Sequence, residues 1–157
     1  MDMQVYWDST RDILQNTEFG LLDTVGETKL TMLLAIKDSV KMMDKFEKEK
    51  LARLEDEFII YRGVNSHRRI NFDKHGFGFH WSISRHVAEW FAKCRGGSHH
   101  ALLTTKIKKS DVTCLWDDKG ESEILIIPSV LEPEKVLVEK FVEVHNVRTG
   151  RHWRKSK

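Results

Sequence analysis

Cysteine is scarce in this sequence. The chain has two, Cys94 and Cys114, one in an apolar helix face and one in an apolar strand. No metal-ligand spacing surrounds either, so both are expected as buried thiols of a reducing compartment and not as a disulfide pair. Long apolar runs are lacking as well, and no stretch approaches the length of a membrane span. The opening residues, Met1 to Asp8, hold neither a basic start nor the apolar run of a secretory signal. These absences set the expectation of a cytoplasmic protein with no membrane partner. A strong charge imbalance is missing too. Lys and Arg total 26 against 24 Asp and Glu, a formal net charge of +2, so no global charge argument favours nucleic acid or membrane. There are no internal repeats and no low-complexity segment. His99-His100 has no third ligand at metal spacing, so no metal site is expected.

What is present fits one soluble domain. A chain of 157 residues with 40% hydrophobic and 32% charged residues can bury a core of its own. The local charge is uneven at the end, where Arg148, Arg151, Arg154, Lys155 and Lys157 occur with no acid between them. Residues 148–157 are expected as a frayed, solvated basic tail, with a contact to phosphate or an acidic partner as the sharper alternative.

The chain divides into a helical N-terminal segment, 1–57, and a mainly β core, 58–147. A short helix is expected over 9–16, with Tyr6 and Trp7 as anchors. From Thr28 to Glu57, Leu30, Leu33, Leu34, Val40, Met43, Phe46, Leu51 and Leu54 recur near helical spacing. This predicts one long helix, or two that break near Lys50. Its dense Lys and Glu from Lys41 onward read as a solvated face. Phe58 to Gly63 is a short strand ending on Arg62, and Asn65 to His75 is a basic loop with Arg68 and Arg69. Phe77 to Ser84 alternates strictly. Phe77, Phe79, Trp81 and Ile83 form a core face, while Gly78, His80, Ser82 and Ser84 form a polar one. Ser84 suits the N-cap of a following helix whose core stripe is Val87, Trp90, Phe91 and Cys94. Strands follow over Ala101–Ile107, Val112–Trp116 and Lys135–Val147. Helices first and strands after, with one intervening helix, indicate an α+β fold.

Asp117-Asp118-Lys119-Gly120 is a turn signal, and Glu121-Ser122-Glu123-Ile124-Leu125-Ile126-Ile127-Pro128 reads as a strand leaving it. On a strand, Glu121 and Glu123 share one face and Ser122 takes the other. A carboxylate pair of this kind is either a solvated strand end or a site that acts on a developing positive charge.

Three polar sets therefore stand on strand ends: Arg62 in Y-R-G, Ser82 and Ser84 in W-S-I-S ahead of Ala88, Phe91 and Ala92, and Glu121 and Glu123 in G-E-S-E-I-L-I-I-P. In this order they resemble the Arg–Ser–Glu class of mono-ADP-ribosyltransferases, which includes cholera-type toxins, vertebrate ecto-enzymes and phage-encoded enzymes. The resemblance covers about residues 58–147, and it departs from the usual Ser-Thr-Ser in having Ile83 at the centre. It implies a core of two packed, mainly antiparallel sheets behind an N-terminal helical segment, with NAD as co-substrate. By the same resemblance Arg62 would hold the NAD pyrophosphate and ribose, and Gly63 would admit the nicotinamide amide. Ser82 would hold Glu123 and the ribose, and Ser84 would support the fold or the helix start. Glu123 would be the catalytic glutamate, and Glu121 would contact the acceptor, a glutamate there going with modification of arginine. Trp81, Trp90 and Phe91 are candidates to pack nicotinamide, but their periodicity assigns them to the core. His80 shares the face of Ser82 and could reach the cleft, although a structural or exposed histidine is the commoner case.

The resemblance implies transfer of ADP-ribose to a macromolecular acceptor, first a protein arginine. RNA or DNA is the alternative acceptor, favoured by Arg68-Arg69, Lys106, Lys108, Lys109 and the basic tail. A toxin of a toxin–antitoxin system or a phage effector, with an antitoxin or inhibitor protein as partner, is the implied setting. A non-catalytic binding module of the same fold is the opposed reading.

Overall fold

A computed structural model describes residues 3–16, 26–35, 37–66, 77–94, 97, 99–117, 120–146 and 150–155. Arg68 and Arg69 lie outside the described residues.

The first helix, α1 (Met3–Asn16), is longer than expected and buries Trp7, Thr10 and Leu14 at i, i+3 and i+7. The Thr10 hydroxyl donates back to the Tyr6 carbonyl at 2.8 Å. The long helical region is not one helix and does not break at Lys50. It forms α2 (Glu27–Leu34), a 3-10 turn (Lys37–Met42) and α3 (Lys45–Arg53). The reason is local chemistry at Asp44. Its carboxylate accepts from the Glu47 N–H at 2.8 Å, while the Glu47 carboxylate accepts from the Asp44 N–H at 2.8 Å, a capping box that starts a new helix.

The expectation that this charge run is all solvated fails at Glu47, which is 3% exposed. Arg11 of α1 donates to both its oxygens, at 2.8 and 2.6 Å, and the backbone N–H of Asp117 donates at 3.1 Å. Lys45, Glu49 and Arg53 remain outside as spaced surface pairs.

Among the described residues seven strands follow: β1 (Glu57–Ser66), β2 (His80–Ser82), β3 (His99–Lys108), β4 (Val112–Trp116), β5 (Glu123–Ile126), β6 (Leu137–Asn146) and β7 (Gly150–Lys155). They form one antiparallel sheet in the order β4-β5-β2-β1-β3-β6-β7, where two sheets had been expected. The two halves meet at a narrow joint. β1 pairs with β3 from Glu57↔Lys108 to Ser66↔His99, but its pairing with β2 is Tyr61↔Ser82 alone. The terminal segment also departs from expectation. Residues 150–155 are the edge strand β7, paired with β6 from Asn146↔Gly150 to Phe141↔Lys155, because a hairpin supplies their backbone with partners that a free tail lacks.

The main core lies between the sheet and the N-terminal helices, around Trp7, Met42, Ile60, Trp81, Trp116 and Ile124. Phe79 and Trp81 are buried, with Phe77 and Ile83 packed against the same core, as the alternation predicts. A smaller cluster joins α4 (Arg85–Lys93) to β1, β3 and β6 through Ala88, Ala92, Leu102 and Phe141, with Tyr61 at its edge.

The buried stripe of α4 is therefore Ala88 and Ala92, not the expected line through Trp90 and Cys94. Trp90 is 57% exposed and Cys94 is exposed, so only Cys114 is a buried thiol. The physical reason is close approach. A Cβ at Gly63 would lie 2.0 Å from the Ala88 carbonyl oxygen and 2.5 Å from the Ala92 nitrogen, so only a small-residue face brings α4 this near β1. Among the described residues no helix is long and apolar enough to cross a membrane.

Candidate functional site

The narrow joint is where the sequence-predicted residues gather. β5, β2 and β1 are neighbours in the sheet, and the pairs Ser82↔Glu123 and Tyr61↔Ser82 set the register that brings Glu123, Ser82 and Arg62 together. Continued by the same register, the β1–β2 ladder would place Gly63 opposite His80. Instead the Arg62 guanidinium turns into the joint and its Nη1 donates to the His80 carbonyl. Gly78 makes room for it. Its φ is 74°, in the region that favours glycine, and a Cβ there would lie 2.7 Å from the Arg62 Cζ. Burial lowers the Arg62 guanidinium to about 10, the Glu123 carboxylate opposing, so the side chain is still charged at neutral pH.

Glu123 opens β5 and is partly exposed. Its Oε1 lies 2.5 Å from the His80 Nδ1, and the His80 ring is 6.3 Å, centroid to centroid, from the buried ring of Trp116. The expectation that His80 could reach the cleft from the face of Ser82 carried no partner for its ring. Strict alternation had already put it on the face of Ser82; what it could not supply was the distant strand carrying the partner.

Ser82 is 6% exposed, and its hydroxyl donates to the Glu121 carbonyl at 2.9 Å and accepts from the Ser84 N–H at 3.0 Å. It thus ties down the main chain before Glu123. Ser84 caps α4, its side chain accepting from the Val87 N–H at 3.4 Å, as predicted. Gly63 has a sufficient packing reason in the contact with Ala88 and Ala92.

Glu121 does not share the strand face of Glu123 that alternation predicts. The strand begins at Glu123, and Ser122 has φ 47°, so the two-residue alternation that put Glu121 beside Glu123 does not extend through Ser122. That left-handed conformation is held by a small network. Lys50 Nζ donates to Ser122 Oγ at 2.8 Å, Ser122 Oγ donates to Asp117 Oδ1 at 2.8 Å, and Lys50 pairs with Asp117 Oδ2 at 2.7 Å. The hydrogen bond from Lys50, then that from Ser122, holds the Asp117 carboxyl below its ordinary value. The turn itself closes as expected, with the Gly120 N–H donating to the Asp117 carbonyl at 3.3 Å and Gly120 at φ 72°.

The arrangement is a fixed guanidinium beside a partly exposed carboxylate at a sheet joint, with a histidine on the carboxylate and a serine on its loop. Such a pair can bind a ligand carrying negative charge and oppose a positive charge that develops next to it. The lysines near β3 make local pairs, Lys106 with Glu57 at 2.6 Å and Lys109 with Asp56 at 3.3 Å. No protein-family model, curated protein or solved structure matches this chain.

Proposed function

We propose that this chain is a mono-ADP-ribosyltransferase that cleaves NAD at the nicotinamide glycosidic bond and transfers ADP-ribose to a macromolecule. The observation that supports the reading is the convergence of Arg62, Ser82 and Glu123 from three adjacent strands, in the order the Arg–Ser–Glu motif requires. The residues fit NAD in kind. The Arg62 guanidinium occupies a place that a Cβ on residue 78 would fill, and it lies close enough to Glu123 for the two charges to act on one another. NAD supplies the anionic pyrophosphate and a leaving group whose departure puts positive charge on the ribose.

In this reading Arg62 holds phosphate or ribose oxygens with the donors not used on His80. Glu123 accepts a hydrogen bond from the ribose 2′-hydroxyl and opposes the cationic charge of the transition state. Ser82 and Ser84 fix the loop and the start of α4. Glu121 orients the acceptor, with a protein arginine first, because a carboxylate matches a guanidinium.

The experiment is nicotinamide release from NAD by the purified protein and its Glu123→Gln variant, with cell lysate present. Release by the wild type and its loss in the variant is expected. Equal release by both would remove Glu123 from the reaction, and no release by either would reject the transferase reading in favour of a binding module. With labelled NAD, label that survives protease and falls to nuclease would replace protein arginine by a nucleic acid as acceptor.

A further inference from the structure

We propose that His80 is the positioning residue of Glu123: its imidazole Nδ1–H holds one carboxylate oxygen and leaves the other for the ligand. The catalytic consequence rests on the transferase reading above, whereas the contact itself does not.

Three observations carry the assignment. The first is that His80 Nδ1 lies 2.5 Å from Glu123 Oε1, within hydrogen-bond reach of a carboxylate acceptor. A neutral imidazole facing a carboxylate at that distance must have its proton on Nδ1, since the carboxylate only accepts. The second is that Oε2 of Glu123 has no hydrogen bond to any described residue, while the side chain keeps 22% of its surface open. The carboxylate is therefore held at one oxygen, and its side chain is partly open to water. The third is that His80 serves both charged members of the site by different parts. Its carbonyl accepts from Arg62 and its ring reaches Glu123. A side-chain substitution at residue 80 thus acts on Glu123 and leaves the acceptor for Arg62 in the main chain.

A glutamate at a strand start has three side-chain torsions to lose on ordering. Ser82 restrains only the backbone of the loop, through the carbonyl of Glu121. The His80 ring is the described side chain that bonds the Glu123 carboxylate, and it is backed by the buried Trp116 ring. Preorganising a charge before the reaction matters because small displacements at a reacting centre cost up to about 100-fold in rate.

The test compares His80→Asn, whose amide N–H stands near the place of Nδ1–H, with His80→Ala. Nicotinamide release is measured as kcat and KM for NAD, with thermal melts as a folding control. His80→Ala is expected to lower kcat about 10- to 100-fold with KM changed less than about threefold. His80→Asn is expected to restore most of that loss. Full kcat in His80→Ala, a loss confined to KM, or equal losses in both variants would overturn the proposal. A second readout needs no turnover. The Nδ1 proton of His80, followed by 15N-edited NMR, is expected far downfield in the wild type and is expected to move upfield in Glu123→Ala. A signal that Glu123→Ala does not move would overturn the contact. A wild type that releases no nicotinamide but shows the shifted proton would reject the transferase reading and retain the pair.

Discussion

Gly63 and Ala88 touch through backbone: a Cβ on residue 63 would sit 2.0 Å from the Ala88 carbonyl oxygen. β1 and α4 are thus locked at a distance that only glycine permits. Gly63→Ala is expected to destabilise the fold by about 3 kcal/mol, because the obstacle is helix backbone, which cannot rotate away as a side chain can. Urea unfolding with a lower midpoint and an unchanged slope would bear this out. An unchanged midpoint would show that α4 can slide on the sheet.

The Arg11–Glu47 pair joins α1 to α3 and is nearly closed to water, at 17% and 3% exposure. Glu47→Gln leaves the Arg11 charge in that environment and is expected to lower stability by about 3 kcal/mol or more. Replacing both, as Arg11→Met with Glu47→Leu, is expected to be milder than the single change, since both members of the buried pair are then removed together. A double variant no better than Glu47→Gln would place the importance in the Asp44 and Asp117 contacts instead.

The two thiols separate by burial. Burial pushes the Cys114 thiol up to about 12, and its Sγ–H donates to the Ser39 carbonyl at 3.3 Å, whereas Cys94 is exposed at the end of α4. A thiol reagent at neutral pH is expected to label Cys94 in the native protein and Cys114 only after unfolding. Rapid labelling of both in native buffer would mean that the sheet opens near β4.

The Lys50–Asp117 pair gives a signed pH effect. Asp117 is depressed below its ordinary value of 3.8, so its contribution to stability is complete above that value and is lost as pH falls through the folded-state value. The difference in stability between wild type and Asp117→Asn is therefore expected to be constant at neutral pH and to shrink below about pH 4. It is small, under about 1 kcal/mol, because the two side chains keep 34% and 38% of their surface in water. A difference that stays constant down to pH 2 would rule out Asp117 as the group responsible.

Much of the candidate site was legible because it depends on local rules. The alternation from Phe77 to Ser84 needed only a strand's two-residue period, and it put Phe79 and Trp81 in the core and His80 on the face of Ser82. The cap at Ser84 and the turn closed by Gly120 are equally local. The capping box at Asp44 and Glu47 is also local, but it lies inside a run of charges whose helical periodicity is continuous and masks the break.

By itself, then, the sequence determined where most of the inner strands and the Gly120 turn fall, which side of β2 is apolar, and the α+β class, since each follows from the spacing of neighbours, but not the edge strand β7 or the start of β5. Tertiary structure alone decided the rest. Whether Glu47 is solvated depends on Arg11, and whether His80 is a bystander depends on Glu123, each pairing residues far apart in the chain. The exposed side of α4 depends on the missing side chain of Gly63, and the single continuous sheet depends on one bridge between Tyr61 and Ser82. Periodicity specifies a face, but the partner that the face meets is set by strand order and register.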